Sequence, residues 1–292
     1  MNRMLTALCA VVVLVAASVQ PAFAEQDFPS QGGPPAPGPV EESNASASAT
    51  GNGSTATATA TCPAGTKAAG GGFAAPSSGD SIALVYESVK VDKRAWRASA
   101  QLLNPSGSGS LNLTTYVYCR THLPNTTTVS TTVPTSGQVQ VGPTAEASCP
   151  SGQAAVGGGF QMPAPLIPPT VTDLFFDSIR SGNSAWDSRV VTGPAGPSTL
   201  TSEAYCAKRG GTPLEVTGSS SPNGQDSTPS TAVAACPGGL TPASGGFAQP
   251  DSSVVSFFFV YESRRAGDNW RVSAIHSGSE PAVAIDVAGY CS

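Results

Sequence analysis

Few residues of this 292-residue chain are equipped for chemistry. The two histidines, His122 and His276, stand far apart in non-equivalent surroundings. A Ser-His-Asp triad needs base, nucleophile and carboxylate in hydrogen-bond reach, and here it would have to assemble around His276 from distant segments. Gly79-Asp80-Ser81 offers a serine beside an acid, but it falls in a turn, and no G-x-S-x-G elbow occurs anywhere. Two histidines and no close cysteine pair leave too few ligands for zinc. The expectation is a protein without catalysis, cofactor or metal. A hydrolase using His276 or Ser81 is the alternative.

Three sets of residues recur and could bind rather than react. Tyr86-Glu87-Ser88, Phe176-Asp177-Ser178 and Tyr261-Glu262-Ser263 each precede a tryptophan, Trp96, Trp186 or Trp270. Each tryptophan is followed by an arginine, at Arg97, Arg189 and Arg271. Residues two apart in a strand share a face, so acid and arginine on neighbouring strands can meet. This predicts the ion pairs Glu87–Arg97, Asp177–Arg189 and Glu262–Arg271. One carboxylate per repeat is too few for calcium, which takes 6–8 oxygens. The three tryptophans have two readings: core side chains lying over the nearby Gly-Gly-Phe, or an aromatic platform for sugars. Trp96, Trp186 and Trp270 are therefore the candidate ligand-binding residues.

These residues sit inside a threefold repeat. Apart from Cys9, the cysteines fall at 62, 119, 149, 206, 236 and 291. The first, third and fifth are 87 and 87 residues apart, with partners 57, 57 and 55 residues on. Cys62-Pro63-Ala64-Gly65 leads to Gly70-Gly71-Gly72-Phe73. The same run recurs from Cys149 to Phe160 and from Cys236 to Phe247, and each repeat closes on Tyr-Cys. Such self-similarity marks an internal triplication. Of the 15 possible pairings it selects Cys62–Cys119, Cys149–Cys206 and Cys236–Cys291. Rings of this size are structural staples, each worth about 4 kcal/mol of chain entropy.

The elements that must hold these residues read as strands. IALVYESVKV (82–91), the run 96–103 and LNLTTYVYCR (111–120) are rich in β-branched and aromatic residues and separated by turn signals. No long 3.6-residue stripe occurs, and 32 Gly with 26 Pro leave little room for helices. Between Cys119 and Cys149, 126–133 and 138–141 read as entry strands, while 219–230 reads as a loop. The organisation expected is a signal peptide (1–24), a disordered Pro/Gly/Ser/Ala-rich spacer (25–55), and β modules at 56–120, 121–207 and 208–292. The module-1 entry strand would be 55–61. The fold class is all-β: three tandem disulfide-stapled antiparallel modules, sandwich-like or closed together into a pseudo-threefold β-prism.

Arg3, an apolar run of about 15 residues and Ala22-Phe23-Ala24 form the export signal. That run is shorter than the ~20 residues needed to span a bilayer, so no membrane span is expected in the mature chain. Charged residues make up only 11% and the net charge is −5, which argues against a nucleic-acid partner. An exported protein with paired cysteines belongs outside the cell or at its surface.

The motif Cys-Pro-x-Gly-x4-Gly-Gly-Gly-Phe, then Trp, then Tyr-Cys, resembles repeats in secreted, uncharacterised proteins of actinobacterial type. The likeness covers most of 56–292 and implies no site residues. A looser likeness is to the vitelline membrane outer layer protein family, which also carries three Cys-Pro-x-Gly repeats with a Gly-Phe nearby. It implies a pseudo-threefold prism and carbohydrate binding. The expected function is extracellular binding of a carbohydrate or cell-envelope component. A structural or protein-contacting role at the cell surface is the alternative.

Overall fold

The computed structural model describes residues 39–76, 81–104, 109–135, 140–164, 173–192, 198–208, 212–220, 229–249, 257–277 and 284–292. The expected signal peptide and the first part of the spacer lie outside the described residues. Among the described residues every regular element is a strand. The first repeat contributes β1 (Glu41–Thr50), β2 (Thr55–Thr61), β3 (Lys67–Ala74), β4 (Ile82–Lys90), β5 (Ala95–Leu103) and β6 (Ser110–Arg120). The second contributes β7 (Thr127–Pro134), β8 (Gln140–Ser148), β9 (Gln153–Gln161), β10 (Asp173–Ser181), β11 (Ala185–Thr192) and β12 (Thr199–Lys208). The third contributes β13 (Leu214–Ser220), β14 (Pro229–Ala235), β15 (Pro242–Ala248), β16 (Phe257–Ala266), β17 (Asn269–Ser277) and β18 (Ile285–Cys291).

The strands form three antiparallel six-stranded sheets, ordered β1-β6-β3-β16-β17-β14, β2-β5-β4-β9-β12-β7 and β13-β18-β15-β10-β11-β8. Each repeat is split. Its first, sixth and third strands build half of one sheet, and its second, fifth and fourth build half of another. No sheet belongs to one repeat, so the modules are not free-standing. The three sheets are the faces of a pseudo-threefold prism.

The joins are short and alike. Ser88 stands opposite Phe160, Ser178 opposite Phe247, and Ser263 opposite Phe73. The three phenylalanines meet inside, with Phe160 edge-on to Phe73 at 6.1 Å and to Phe247 at 6.0 Å. Edge-to-face contact puts positive ring edges on negative faces. The glycines before them divide the work. A Cβ on Gly71, Gly158 or Gly245 would overlap the ring of Trp96, Trp186 or Trp270. A Cβ on Gly72, Gly159 or Gly246 would strike the carbonyl of Ser263, Ser88 or Ser178 across the join. One glycine thus admits the indole and the next admits the neighbouring repeat.

Two expectations need correction. Residues 41–50, assigned to the spacer, form β1 and pair with β6 over ten residues, Glu41 opposite Cys119 through Thr50 opposite Ser110. Its Ser/Ala/Asn composition carries little apolar signal, but it does the job of β7 and β13 in the other repeats. The entry to each repeat is therefore two strands, and the first module begins near 41 rather than 56. Within 219–230, read as a loop, Ser219 and Ser220 end β13 and Pro229 and Ser230 begin β14; 221–228 lie outside the described residues.

The disulfides are Cys62–Cys119, Cys149–Cys206 and Cys236–Cys291, with Cα separations of 5.6, 5.6 and 5.8 Å. Each pins the residue directly after a repeat's second strand to the last residues of its sixth.

Candidate basic pocket

The tryptophans are not a platform. Trp96, Trp186 and Trp270 are 2%, 1% and 1% exposed, so no sugar can stack on them. Each indole Nε1 donates inside the core, Trp96 to Ser88 Oγ (3.0 Å), Trp186 to Ser178 Oγ (2.9 Å) and Trp270 to Ser263 Oγ (3.2 Å). Burial of an indole requires such a partner for its N–H. The repeated serine supplies it, and the glycine beneath supplies the space.

The repeated acids also work inside. Arg97 pairs with Glu87, Arg189 with Asp177, and Arg271 with Glu262 at 3.0 Å. Arg264 adds a second contact to Glu262 at 2.8 Å. Ser99 donates to Glu87 at 2.6 Å and Ser273 to Glu262 at 2.7 Å. These carboxylates are buried, so the pairs satisfy enclosed charges rather than decorate the surface. Ser81 is buried and accepts from Asn104 Nδ2 at 2.9 Å. Gly79, Asp80 and the side chain of His276 lie outside the described residues.

The cavity that could hold a ligand is elsewhere, at the end of the prism bearing the bridge Cys62–Cys119. Its volume is about 430 Å³, within the range of small-molecule sites. Ala69, Val156 and Ala243, one from each repeat, line it. All three sit at irregularities in the register of β3, β9 and β15 against their partners. Such bulges re-aim the chain at a sheet's end. Val91, Leu123, Pro124 and Pro213 add apolar surface.

The polar lining is basic. Lys67, Lys90, Lys93, Arg120 and His122 all face it, with Asp92 as its acidic side chain. Three of the chain's four lysines thus gather in one place, in a protein of net charge −5. Asp92 is engaged in the turn, where its Oδ1 accepts the Arg94 N–H at 2.6 Å. Lys67 Nζ donates to Asn125 Oδ1 (2.9 Å) and the Leu123 carbonyl (3.3 Å). Lys90 Nζ donates to Thr126 Oγ1 at 3.1 Å. Arg120 Nη2 donates to the Ser292 carbonyl at 2.8 Å, while its buried Nε has no hydrogen-bond partner. Burial, then the nearby Lys67 charge, holds the Lys90 ammonium below its ordinary value, with Asp92 opposing weakly. Burial and then Arg265 act likewise on Arg120. Desolvation and like charge both disfavour a cation.

The sequence reading missed this cavity. The signal was a basic residue three positions after each repeated acid, at Lys90, Arg180 and Arg265. Each of these donates its backbone N–H to the hydroxyl of a neighbouring repeat's closing tyrosine: Lys90 to Tyr205 (2.7 Å), Arg180 to Tyr290 (2.8 Å), Arg265 to Tyr118 (2.7 Å). Each side chain then lies over that same ring, 5.7, 4.5 and 5.0 Å from its centre. The tyrosines in turn stand edge-on to Trp96, Trp186 and Trp270.

No protein-family model and no curated protein sequence matches this chain.

Proposed function

We propose that this is a secreted, non-catalytic binding protein, and that the basic pocket receives a carbohydrate or cell-envelope ligand. The observation that carries the reading is the placement of three of four lysines around a cavity with apolar walls. Three disulfides favour an oxidising compartment. Val91, Leu123 and Pro124 offer flat apolar contact, and His122, Asn125, Thr126 and Thr128 offer donors and acceptors. Ligand sites combine such walls with a few placed polar groups.

Binding to a glycan array and to isolated cell-envelope polysaccharide tests the reading. Val91 is exposed on the pocket's rim. Val91→Trp should fill the cavity and abolish binding while circular dichroism and thermal midpoint stay unchanged. Equal binding by wild type and Val91→Trp, or no glycan bound by either, overturns it.

A further inference from the structure

The three corners where a cation covers a tyrosine differ in one respect. At the first, Arg180 Nη2 pairs with Glu215 at 2.7 Å. At the second, Arg265 Nη2 approaches Glu42 at 3.5 Å. Both glutamates hold the same station: Glu215 stands opposite Tyr290 and Glu42 opposite Tyr118. At the third corner the residue opposite Tyr205 is Thr128. The carboxylate that balances the cation in two repeats is thus replaced by a neutral side chain in one. Among the described residues no carboxylate pairs with Lys90, and Thr128 and Lys90 both line the pocket.

We propose that the ligand supplies the missing negative charge: the pocket takes an acidic saccharide, whose carboxylate or phosphate seats between Lys90, Lys67 and Arg120. This rests on the pocket being the ligand site. A cation over a tyrosine ring is only partly balanced by the ring's quadrupole. The two equivalent corners spend a glutamate on the remainder. Lys90 Nζ donates to the Thr126 hydroxyl; Lys67 repels it, and the attraction of Asp92, whose Oδ1 is held by the Arg94 N–H, is the smaller. Arg120 is 4% exposed and keeps an unused N–H at Nε. An oxyanion is the group that satisfies two ammoniums and a guanidinium together, through short charge-assisted hydrogen bonds. The apolar wall of Val91, Leu123 and Pro124 suits a sugar ring attached to that anion.

Restoring the symmetry tests it. Isothermal titration of wild type uses glucuronic acid, glucose 6-phosphate and their neutral parent glucose. The acidic sugars should bind at least tenfold tighter than glucose, and comparison of the two acids assigns the site to carboxylate or phosphate. Thr128→Glu places a carboxylate where Glu42 and Glu215 stand. It should weaken the acidic sugars at least tenfold, leave glucose within twofold, and keep or raise the thermal midpoint. Lys90→Met should remove the same preference. Thr132→Glu adds the same charge further along β7, outside the pocket lining, and should change nothing. Undiminished acid binding by Thr128→Glu overturns the proposal. Glucose bound as tightly as the acids, and lost in Val91→Trp, overturns it while leaving the pocket as the ligand site. No binding of any sugar to wild type overturns both.

Discussion

At the Arg180 and Arg265 corners a guanidinium rests on a tyrosine ring and meets a glutamate from an entry strand. At the Lys90 corner the ring and the backbone contact are the same, but the cation is shorter and the glutamate is gone. Beneath all three, the layers are alike: tyrosine on tryptophan, tryptophan on glycine, serine on the indole N–H. The comparison separates two kinds of residue. The buried layers close the prism and repeat in all three copies, with Glu203 accepting from the Tyr205 hydroxyl at 2.9 Å as an addition in one. The charged layer above them can lose one partner in one repeat without disturbing the rest, and the cavity opens there.

The largest effects should come from breaking what the corners share. Trp186→Ala removes a fully buried indole and strands the Ser178 hydroxyl, and should cost about 3–5 kcal/mol in urea unfolding. Trp96→Ala and Trp270→Ala should match it to within about 1 kcal/mol, because their surroundings repeat. A loss confined to one of the three would show that the corners are not equivalent below the charged layer. Next, opening a bridge with Cys149→Ser and Cys206→Ser should cost about 2–4 kcal/mol. Opening Cys62–Cys119 should cost the same, although that bridge lies beside the pocket.

A smaller change should make a second corner like that of Lys90. Glu215→Gln leaves Arg180, whose side chain is 3% exposed, without its carboxylate. The expected loss is about 1–2 kcal/mol, modest because Glu215 itself is a third exposed. Part of it should return in millimolar phosphate, read as a larger rise in thermal midpoint than wild type shows. The smallest effect appears only in alkali. Burial pushes the hydroxyls of Tyr118, Tyr205 and Tyr290 above their ordinary range, and at Tyr205 the Glu203 carboxylate pushes the same way. Above pH ~10 the unfolded chain releases these protons while the folded chain keeps them, so stability should fall as pH rises. Ultraviolet titration should show these three of the six tyrosines ionising together with unfolding. Ionisation of any of them in the folded protein would contradict the enclosed corners.

The parts legible in the sequence are those with a distinctive residue in each copy. Cysteine spacing gave the bridges, and the alternation of acid, serine, tryptophan and arginine placed the hairpins β4–β5, β10–β11 and β16–β17 with their ion pairs. Other parts were opaque for physical reasons. Strand β1 is built of Glu, Ser, Asn, Ala and Thr, and its inward face is only Ala45, Ala47 and Ala49, too little apolar surface to stand out from a linker in the sequence. The splitting of each repeat between two sheets depends on joins of one or two residue pairs, made possible by the adjacent glycines, whose value lies in what they allow to approach. The tryptophans have the same composition as sugar-binding aromatics, and only their depth decides between the roles. The pocket was hidden because its defining feature is an absence, seen only once Thr128 is aligned by register with Glu42 and Glu215.

The pairing of β3 with β16 joins the first repeat to the last. Open arrays of repeats can lengthen by one unit because each copy touches only its neighbours. Here the last copy must reach back to the first, so the circle is complete at three and a fourth copy has nowhere to dock. A ribosome that has made two copies has made one whole face and two unfinished ones. Assembly must therefore wait for the final strands, and any truncation from that end leaves raw edges rather than a smaller version of the same molecule.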